Sequence, residues 1–397
     1  MIHSRQSEIT SGSAVTGAVA GSVCIVPLTL SVSGTERVAH DIVEGLVLKG
    51  RAASALIPSY EALDLYAETL SFLTPSVFRI GTVIGVRSPF PNLYRAWRLF
   101  RQLRPICVHF HCPGFRWGLE VIAAAYLARV PLIIRTEHNP LNCKPSRIFG
   151  PQLTATDKMI RQFTYVSEGN MGSFEQYLPQ RRGRGMVIAN GIDETRFAPS
   201  KDVRLRKALR TEFNFPDDSR IAVFVGGYGG RRPLSPIFEA FKNLLESPRT
   251  SPVAQNWRIL IVGTGDGDSM MLPQKLGISQ YVRFAGKREN IEKILPSCDL
   301  YVSASHFEGL SIAMLEAWAC GLPVLSTDVH GISDVLGYEI GRQQVVPIGD
   351  IPKFAEAWYE FMIASSGRVD GQRDACRAVR TEFTNSNMLA KYLDLYS

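Results

Sequence analysis

The stretch Leu300-Tyr-Val-Ser303-Ala-Ser-His-Phe-Glu308-Gly309-Leu310-Ser311-Ile-Ala-Met-Leu-Glu316-Ala-Trp-Ala-Cys320-Gly321-Leu-Pro323-Val324-Leu-Ser326 reads as strand, loop, helix, turn and strand. An apolar run ends near Ser303. A helix is predicted over Leu310–Cys320, stopped by Gly321 and Pro323. A new strand opens at Val324. Strand, helix and strand in so short a span imply parallel strands, and parallel sheets are covered by helices on both faces.

The same rhythm runs outward from this stretch. Strands are predicted at Ile221–Val225, Arg258–Val262 and Val282–Ala285, and further upstream at Val23–Leu28, Ala52–Ile57, Ile106–Phe110 and Leu132–Arg135. Helices are predicted over Thr35–Leu48 and Leu119–Ala128. With 397 residues, 45% of them hydrophobic and 20% charged, the chain has the size for two domains and a composition that excludes wholesale disorder. The expected organisation is a flexible Ser/Gly/Thr/Ala-rich tail over residues 1–22, a Rossmann-like acceptor-binding domain over 23–197, and a second, donor-binding one over 198–378. A C-terminal helix at about 379–397 would pack back on the first. Two doubly wound α/β halves would then face a cleft lined by the carboxyl ends of their strands.

No stretch approaches the 18 consecutive apolar residues of a membrane span, and the apolar window Val15–Val32 lacks the basic start of a secretory signal. The seven cysteines, Cys24, Cys107, Cys112, Cys143, Cys298, Cys320 and Cys376, are scattered, odd in number and without zinc-type spacing. A reduced, cytoplasmic chain is expected.

The net charge of +7 is uneven: residues 1–198 carry 21 Lys and Arg against 14 Asp and Glu, while residues 199–397 balance at 23 each. Arg95, Arg98, Arg101 and Arg104 fall three apart among Trp97, Phe100 and Leu103. On a helix that spacing makes a basic stripe flanked by apolar side chains, the composition of a helix lying on an anionic membrane surface. An ordinary surface helix has the same pattern. Nucleic acid is not an expected partner, because no nucleic-acid fold signature accompanies the charge.

Glu308 falls in the loop before the predicted helix and Glu316 about two turns inside it. Gly309 lets a ligand approach the free N–H groups of Gly309, Leu310 and Ser311, which favour phosphate. A carboxylate further along can accept hydrogen bonds from the vicinal hydroxyls of a ribose. The plainer alternative makes Glu308 a cap and Glu316 a solvated side chain.

The block resembles the signature of family 4 glycosyltransferases, retaining enzymes of the GT-B fold that use nucleotide-sugar donors. Glu308, Gly309, Glu316, Ala317, Ala319, Gly321, Pro323 and Val324 fit it. Ser33-Gly34-Thr35-Glu36 is similar to the family's glycine-rich first loop, Arg104-Pro105 through His109 and His111 to its cleft strand, and Asn190-Gly191-Ile192-Asp193 through Pro199 to its interdomain segment. The resemblance implies that Glu308 faces the donor sugar, that Glu316 binds the ribose hydroxyls, and that His138 contacts the sugar near the reacting carbon. Gly34, Gly309, Leu310, Ser311, Arg231 and Arg232 would complete the donor site. The family's usual Arg and Lys for the diphosphate fall here on Gly227 and Arg232, so one charge is missing unless Arg231 supplies it.

The implied function is transfer of a hexose, UDP-glucose favoured as a common donor, to a saccharide or lipid-linked acceptor in polysaccharide or glycoconjugate synthesis. No cofactor and no metal are expected. Asp266-Gly267-Asp268 mimics a metal-binding pair but sits where turn residues are ordinary. Rival readings are a nucleotide-sugar epimerase and a catalytically weak nucleotide-sugar-binding protein. Peripheral attachment to the inner membrane face through the Arg95–Arg104 helix is a candidate, not a requirement.

Overall fold

The computed structural model describes residues 21–29, 34–81, 90–146, 149–336, 345–363 and 372–397. Most of the tail predicted at 1–22 lies outside them, as does Ser33. Among the described residues the first sheet has seven strands: β1 (Val23–Pro27), β2 (Ala53–Pro58), β3 (Val77–Ile80), β4 (Cys107–Cys112), β5 (Leu132–Glu137), β6 (Gln162–Tyr165) and β7 (Gly185–Val187). Their spatial order is β3-β2-β1-β4-β5-β6-β7. The second sheet has six: β8 (Arg220–Val225), β9 (Trp257–Val262), β10 (Val282–Gly286), β11 (Leu300–Ser303), β12 (Val324–Thr327) and β13 (Val345–Val346), ordered β10-β9-β8-β11-β12-β13. The pairings flanking β1 and β8 are parallel. The direction of winding reverses between β1 and β4 and between β8 and β11, and loops leaving such points open a crevice for ligands.

Local pattern explains the layers. The helix Gly34–Leu48 buries Val38, Ala39, Ile42, Val43 and Leu46, spaced three and four apart, against β1 and β2. Strand β4 is buried at every position, as a central parallel strand must be. Strand β5 runs on to Glu137, past the predicted end at Arg135, because these two charges neutralise each other inside the lobe.

The basic helix spans Phe90–Leu103 and corrects which apolar side chains flank the stripe. Ala96, Phe100 and Leu103 turn into the core, leaving Arg95, Arg98 and Arg101 exposed. Arg104 lies beyond the helix end with φ 45°, so it does not continue the stripe. The exposed aromatics beside these arginines are instead Phe90 and Tyr94.

Among the described residues the chain crosses between lobes twice, side by side. Ile192 N–H donates to Phe383 O at 2.9 Å, and Asn385 N–H donates to Ile192 O at 2.9 Å. Val379 and Phe383 still pack with the second lobe, whereas Met388, Tyr392 and Tyr396 join the core of the first. The return therefore falls at Thr384, later than the boundary set at 379. A Cβ at Gly191 would stand 2.6 Å from the Thr384 and Asn385 backbone. Gly191→Ala should lower the thermal unfolding midpoint by a loss of about 1–3 kcal/mol, since backbone on backbone cannot yield cheaply. Calorimetry of the variant beside wild type checks this.

Candidate active site

The helix after β11 spans Ile312–Ala319 and begins later than predicted. Ser311 is its N-cap, its hydroxyl accepting from Met314 N–H at 3.4 Å. Glu316 therefore lies little more than one turn inside, not two. The Leu310 side chain is in the core, so only its backbone is available to a ligand.

Gly309 serves the lobe contact. A Cβ there would stand 2.1 Å from His138 O and 2.7 Å from Val166 Cγ2, so the space its missing side chain leaves is filled by the first lobe. This corrects the reading that the space admits a ligand. Ser167 Oγ donates to Gly309 O at 2.8 Å and Asn190 Nδ2 donates to Leu310 O at 2.8 Å. The loop before the helix is thus held by three parts of the opposite lobe.

Glu308 and Glu316 are both buried, at 5% and 3% exposure. Glu308 is neither a simple cap nor solvated. Arg231 Nη1 donates to its Oε2 at 2.7 Å, Arg232 Nη2 to the same oxygen at 3.0 Å, Arg232 Nε to Oε1, and Ser305 Oγ to Oε1 at 3.2 Å. Burial alone would push the Glu308 carboxyl up. The guanidiniums of Arg232 and Arg231 outweigh that and hold it below its ordinary value. Both arginines lie in a turn closed by reciprocal 3.0 Å hydrogen bonds between Gly229 and Arg232, and His306 N–H donates to Arg231 O at 2.8 Å. Gly227 leaves its position without a charge, and two arginines stand a few residues on.

Glu316 finds its counter-charge across the cleft, where Arg37 Nη1 donates to Oε1. Burial pushes this carboxyl above its ordinary value, with Arg37 offsetting part of the effect. Gly34 opens the helix that carries Arg37, and a Cβ on it would stand 3.3 Å from Ile312 Cδ1. The two helix starts face each other.

His138 follows β5 and belongs to a buried polar chain. Its Nε2 lies 3.0 Å from His111 Nδ1. His111 and His109 lie ring to ring, with centroids 4.1 Å apart. His109 meets Tyr396 Oη at 2.5 Å and Thr136 Oγ1 at 2.6 Å. Burial lowers the His138 imidazole to about 3 and holds His109 and His111 well below the ordinary value, so all three are neutral near pH 7. Beneath them Arg135, Glu137, Arg181 and Asp157 form a fully buried ion cluster with contacts of 2.6–2.8 Å. It anchors the end of the strand that carries His138.

The structure brings together Glu308 with Arg231 and Arg232, Gly309 with His138, and Glu316 with Arg37 and the start of its helix. Asp266 instead caps the helix Gly267–Lys275, accepting from Ser269 N–H at 2.7 Å. Sequence reading missed Arg37, Ser167, Tyr392 and Tyr396 as site neighbours, whose partners are far away in the chain. Arg135 and Glu137 did carry a signal, two charges on one face of a strand that begins Leu-Ile-Ile.

Two doubly wound lobes with facing strand ends define the GT-B fold of glycosyltransferases. The profile described as Glycosyltransferase Family 4 matches residues 32–196, and that described as Glycosyl transferases group 1 matches residues 219–362. The chain belongs to the family 4 glycosyltransferases. It is 23% identical over 212 residues to the N-acetyl-alpha-D-glucosaminyl L-malate synthase of Bacillus anthracis, covering 53% of this chain and 52% of that protein. It is 24% identical over 315 residues to the lipopolysaccharide core biosynthesis glycosyltransferase LpsE of Rhizobium meliloti, covering 71% and 88%. The alignments with the first of its curated relatives reach across about half of their length. Among solved structures, Anabaena HepE in complex with UDP and glucose superposes with a TM-score of 0.77 at 14% identity, covering 94% of this chain and 99% of that one.

The buried imidazoles make the fold acid-sensitive. Below an imidazole's ordinary value the unfolded chain takes up protons that the native site refuses, so stability is lost as pH falls below about 6.5. Each such imidazole should contribute a slope of about 1.4 kcal/mol per pH unit. Urea unfolding at a series of pH values, wild type beside His111→Gln, should show the shallower fall in the variant. Equal slopes would mean the native site accepts the proton.

Proposed function

We propose that the protein transfers a hexose from a nucleoside diphosphate sugar, UDP-glucose or a near analogue, to a hydroxyl of a saccharide or lipid-linked acceptor. The product belongs to a polysaccharide or glycoconjugate, the anomeric configuration is retained, and no metal takes part. The observation that carries this reading is the placement of Glu308 and Glu316, both buried and paired with arginines, on either side of one helix start. Support also comes from relatives that work in lipopolysaccharide synthesis and from the fold shared with a UDP- and glucose-bound protein.

In this reading the bond from the anomeric carbon to the diphosphate breaks, and the acceptor oxygen bonds to that carbon on the same face. The acceptor's proton leaves with the departing diphosphate. Arg231, Arg232 and the amides before Ile312 meet the charge that develops on the diphosphate. Glu308, its lone pairs engaged by two guanidiniums and a hydroxyl, suits a fixed anion beside the positively charged sugar better than a nucleophile. Neutral His138 hydrogen-bonds the sugar near the reacting carbon. Glu316 accepts from the ribose hydroxyls. The arginine pair makes up for Gly227, which favours turnover over mere binding, and transfer that depends on an acceptor would exclude an epimerase.

Glu316→Ala should weaken UDP binding about tenfold or more, the worth of hydrogen bonds to a charged acceptor. His138→Ala should mainly lower turnover. Calorimetry with UDP, and donor-consumption assays with and without acceptor, measure both. UDP affinity unchanged in Glu316→Ala would remove the ribose role.

The acceptor side, in the same reading, meets an anionic bilayer. Arg95, Arg98 and Arg101 are exposed beside Phe90 and Tyr94, with Tyr126 and Leu127 exposed on the adjacent helix Leu119–Leu127. Among the described residues no helix is long and apolar enough to cross a membrane, so contact would be peripheral. Three arginines near an anionic surface supply about 3 kcal/mol. Sedimentation with phosphatidylglycerol-containing vesicles should exceed that with phosphatidylcholine alone and fall in Arg95→Glu/Arg98→Glu. Equal sedimentation on both would reject the contact.

A further inference from the structure

We propose that Arg37 is a positioning residue for Glu316, holding the carboxylate of the second lobe ionised and oriented from the first, so that nucleotide affinity depends on a contact across the cleft. The inference rests on the reading of Glu316 as the ribose acceptor and adds a residue that the reading does not contain.

Arg37 is fixed from several directions. Its Nη1 donates to Glu316 Oε1, while the side chains of the pair are 34% and 4% exposed. Its Cζ stands 5.5 Å from the centre of the Phe197 ring, and Phe197 is fully buried in the segment that joins the lobes. Arg196 lies over the same ring at 5.4 Å and is itself pinned to Glu292 at 2.8 and 3.1 Å. The helix start that carries Arg37 packs on the helix start that leads to Glu316, through Gly34 and Ile312. One guanidinium thus touches both lobes and the link between them. A rotation of the lobes would separate Arg37 from Glu316.

The electrostatics require such a partner. A carboxylate this deep is costly to keep charged, and only the charged form offers both oxygens to hydroxyl donors. The groups acting on or near Glu316 are Arg37 and Asp41 from the helix Gly34–Leu48, Arg196 from the joining segment, Tyr301 from β11 and Cys320 at its own helix end. Burial raises the carboxyl, Arg37 and Arg196 lower it, and Asp41 raises it. Without Arg37 the balance moves further toward the protonated form. That form is a poorer acceptor, so the resulting defect deepens as pH falls.

The test titrates UDP, GDP and ADP by calorimetry into wild type, Arg37→Met, Arg37→Lys and Glu316→Ala between about pH 6 and pH 8. For the nucleotide that wild type binds best, Arg37→Met should bind more weakly near pH 7, the loss reaching at most about tenfold for each pH unit of carboxyl shift. The loss should grow toward pH 6 and shrink toward pH 8. Arg37→Lys, which keeps the charge, should recover most of it. Affinity in Arg37→Met equal to or above wild type at every pH would overturn the proposal, as would a uniform loss that Lys does not repair. A weakened Glu316→Ala beside an unaffected Arg37→Met leaves the ribose reading standing and removes only Arg37. An unaffected Glu316→Ala, or no binding by wild type, removes the reading itself and the inference with it.

Discussion

A carboxylate taken out of water needs a counter-charge, and two of them stand at the centre of this molecule. Stripping an ion of its hydration costs several kcal/mol even after relaxation, and removing one partner of a buried pair costs about 3–5 kcal/mol. Glu308 meets the requirement within its own lobe, through Arg231 and Arg232. Glu316 meets it across the cleft, through Arg37, with Arg196 of the joining segment adding to the effect. The turn at Gly229–Arg232, the bond from His306 to Arg231 and the meeting of two helix starts at Gly34 and Ile312 are the means by which those guanidiniums are delivered. The spacing of the lobes is therefore bound up with the charge of the proposed donor site.

The first lobe adds neutral polarity to that charged pair. Three imidazoles in contact, none protonated near neutral pH, run from His138 at the cleft down to Tyr396 in the last turn of the chain. The C-terminal helix thus reaches the interior of the first lobe after the chain has built the other one. Beneath the histidines, the Arg135–Glu137–Arg181–Asp157 cluster anchors the end of β5, and with it the backbone that carries His138.

Much of this was legible in the linear pattern. Short apolar runs alternating with amphipathic ones place β1, β2, β4, β5 and β8 through β12 to within a residue or two, because strand and helix periods depend on neighbours a few positions away, whereas the short strands β3, β6, β7 and β13 carry no such run and went unread. The helix carrying Glu316 was placed correctly but started too early, since Ser311 takes the capping role that Leu310 cannot. At Gly309 the space of the missing side chain holds His138 O of the other lobe. A glycine that admits a ligand and a glycine that admits the backbone of another lobe look the same in a sequence. The arginine helix shows the converse. Its charge spacing was plain, but which apolar residues stay outside depended on which face met β3 and the helix Leu119–Leu127, and Phe100 and Leu103 went inward.

The sequence by itself determined the two doubly wound halves, the helix start flanked by glutamates, and the supply of arginines near it, because these follow from local periodicity, capping and composition. Tertiary structure alone decided that Arg37 meets Glu316, that Asn190 and Ser167 clasp the Gly309 loop, and that Tyr396 ends against His109. Those partners lie more than a hundred residues apart in the chain. Nothing in the local pattern marks such a pairing. It exists only once two sheets and two chain crossings have set the lobes at a fixed distance.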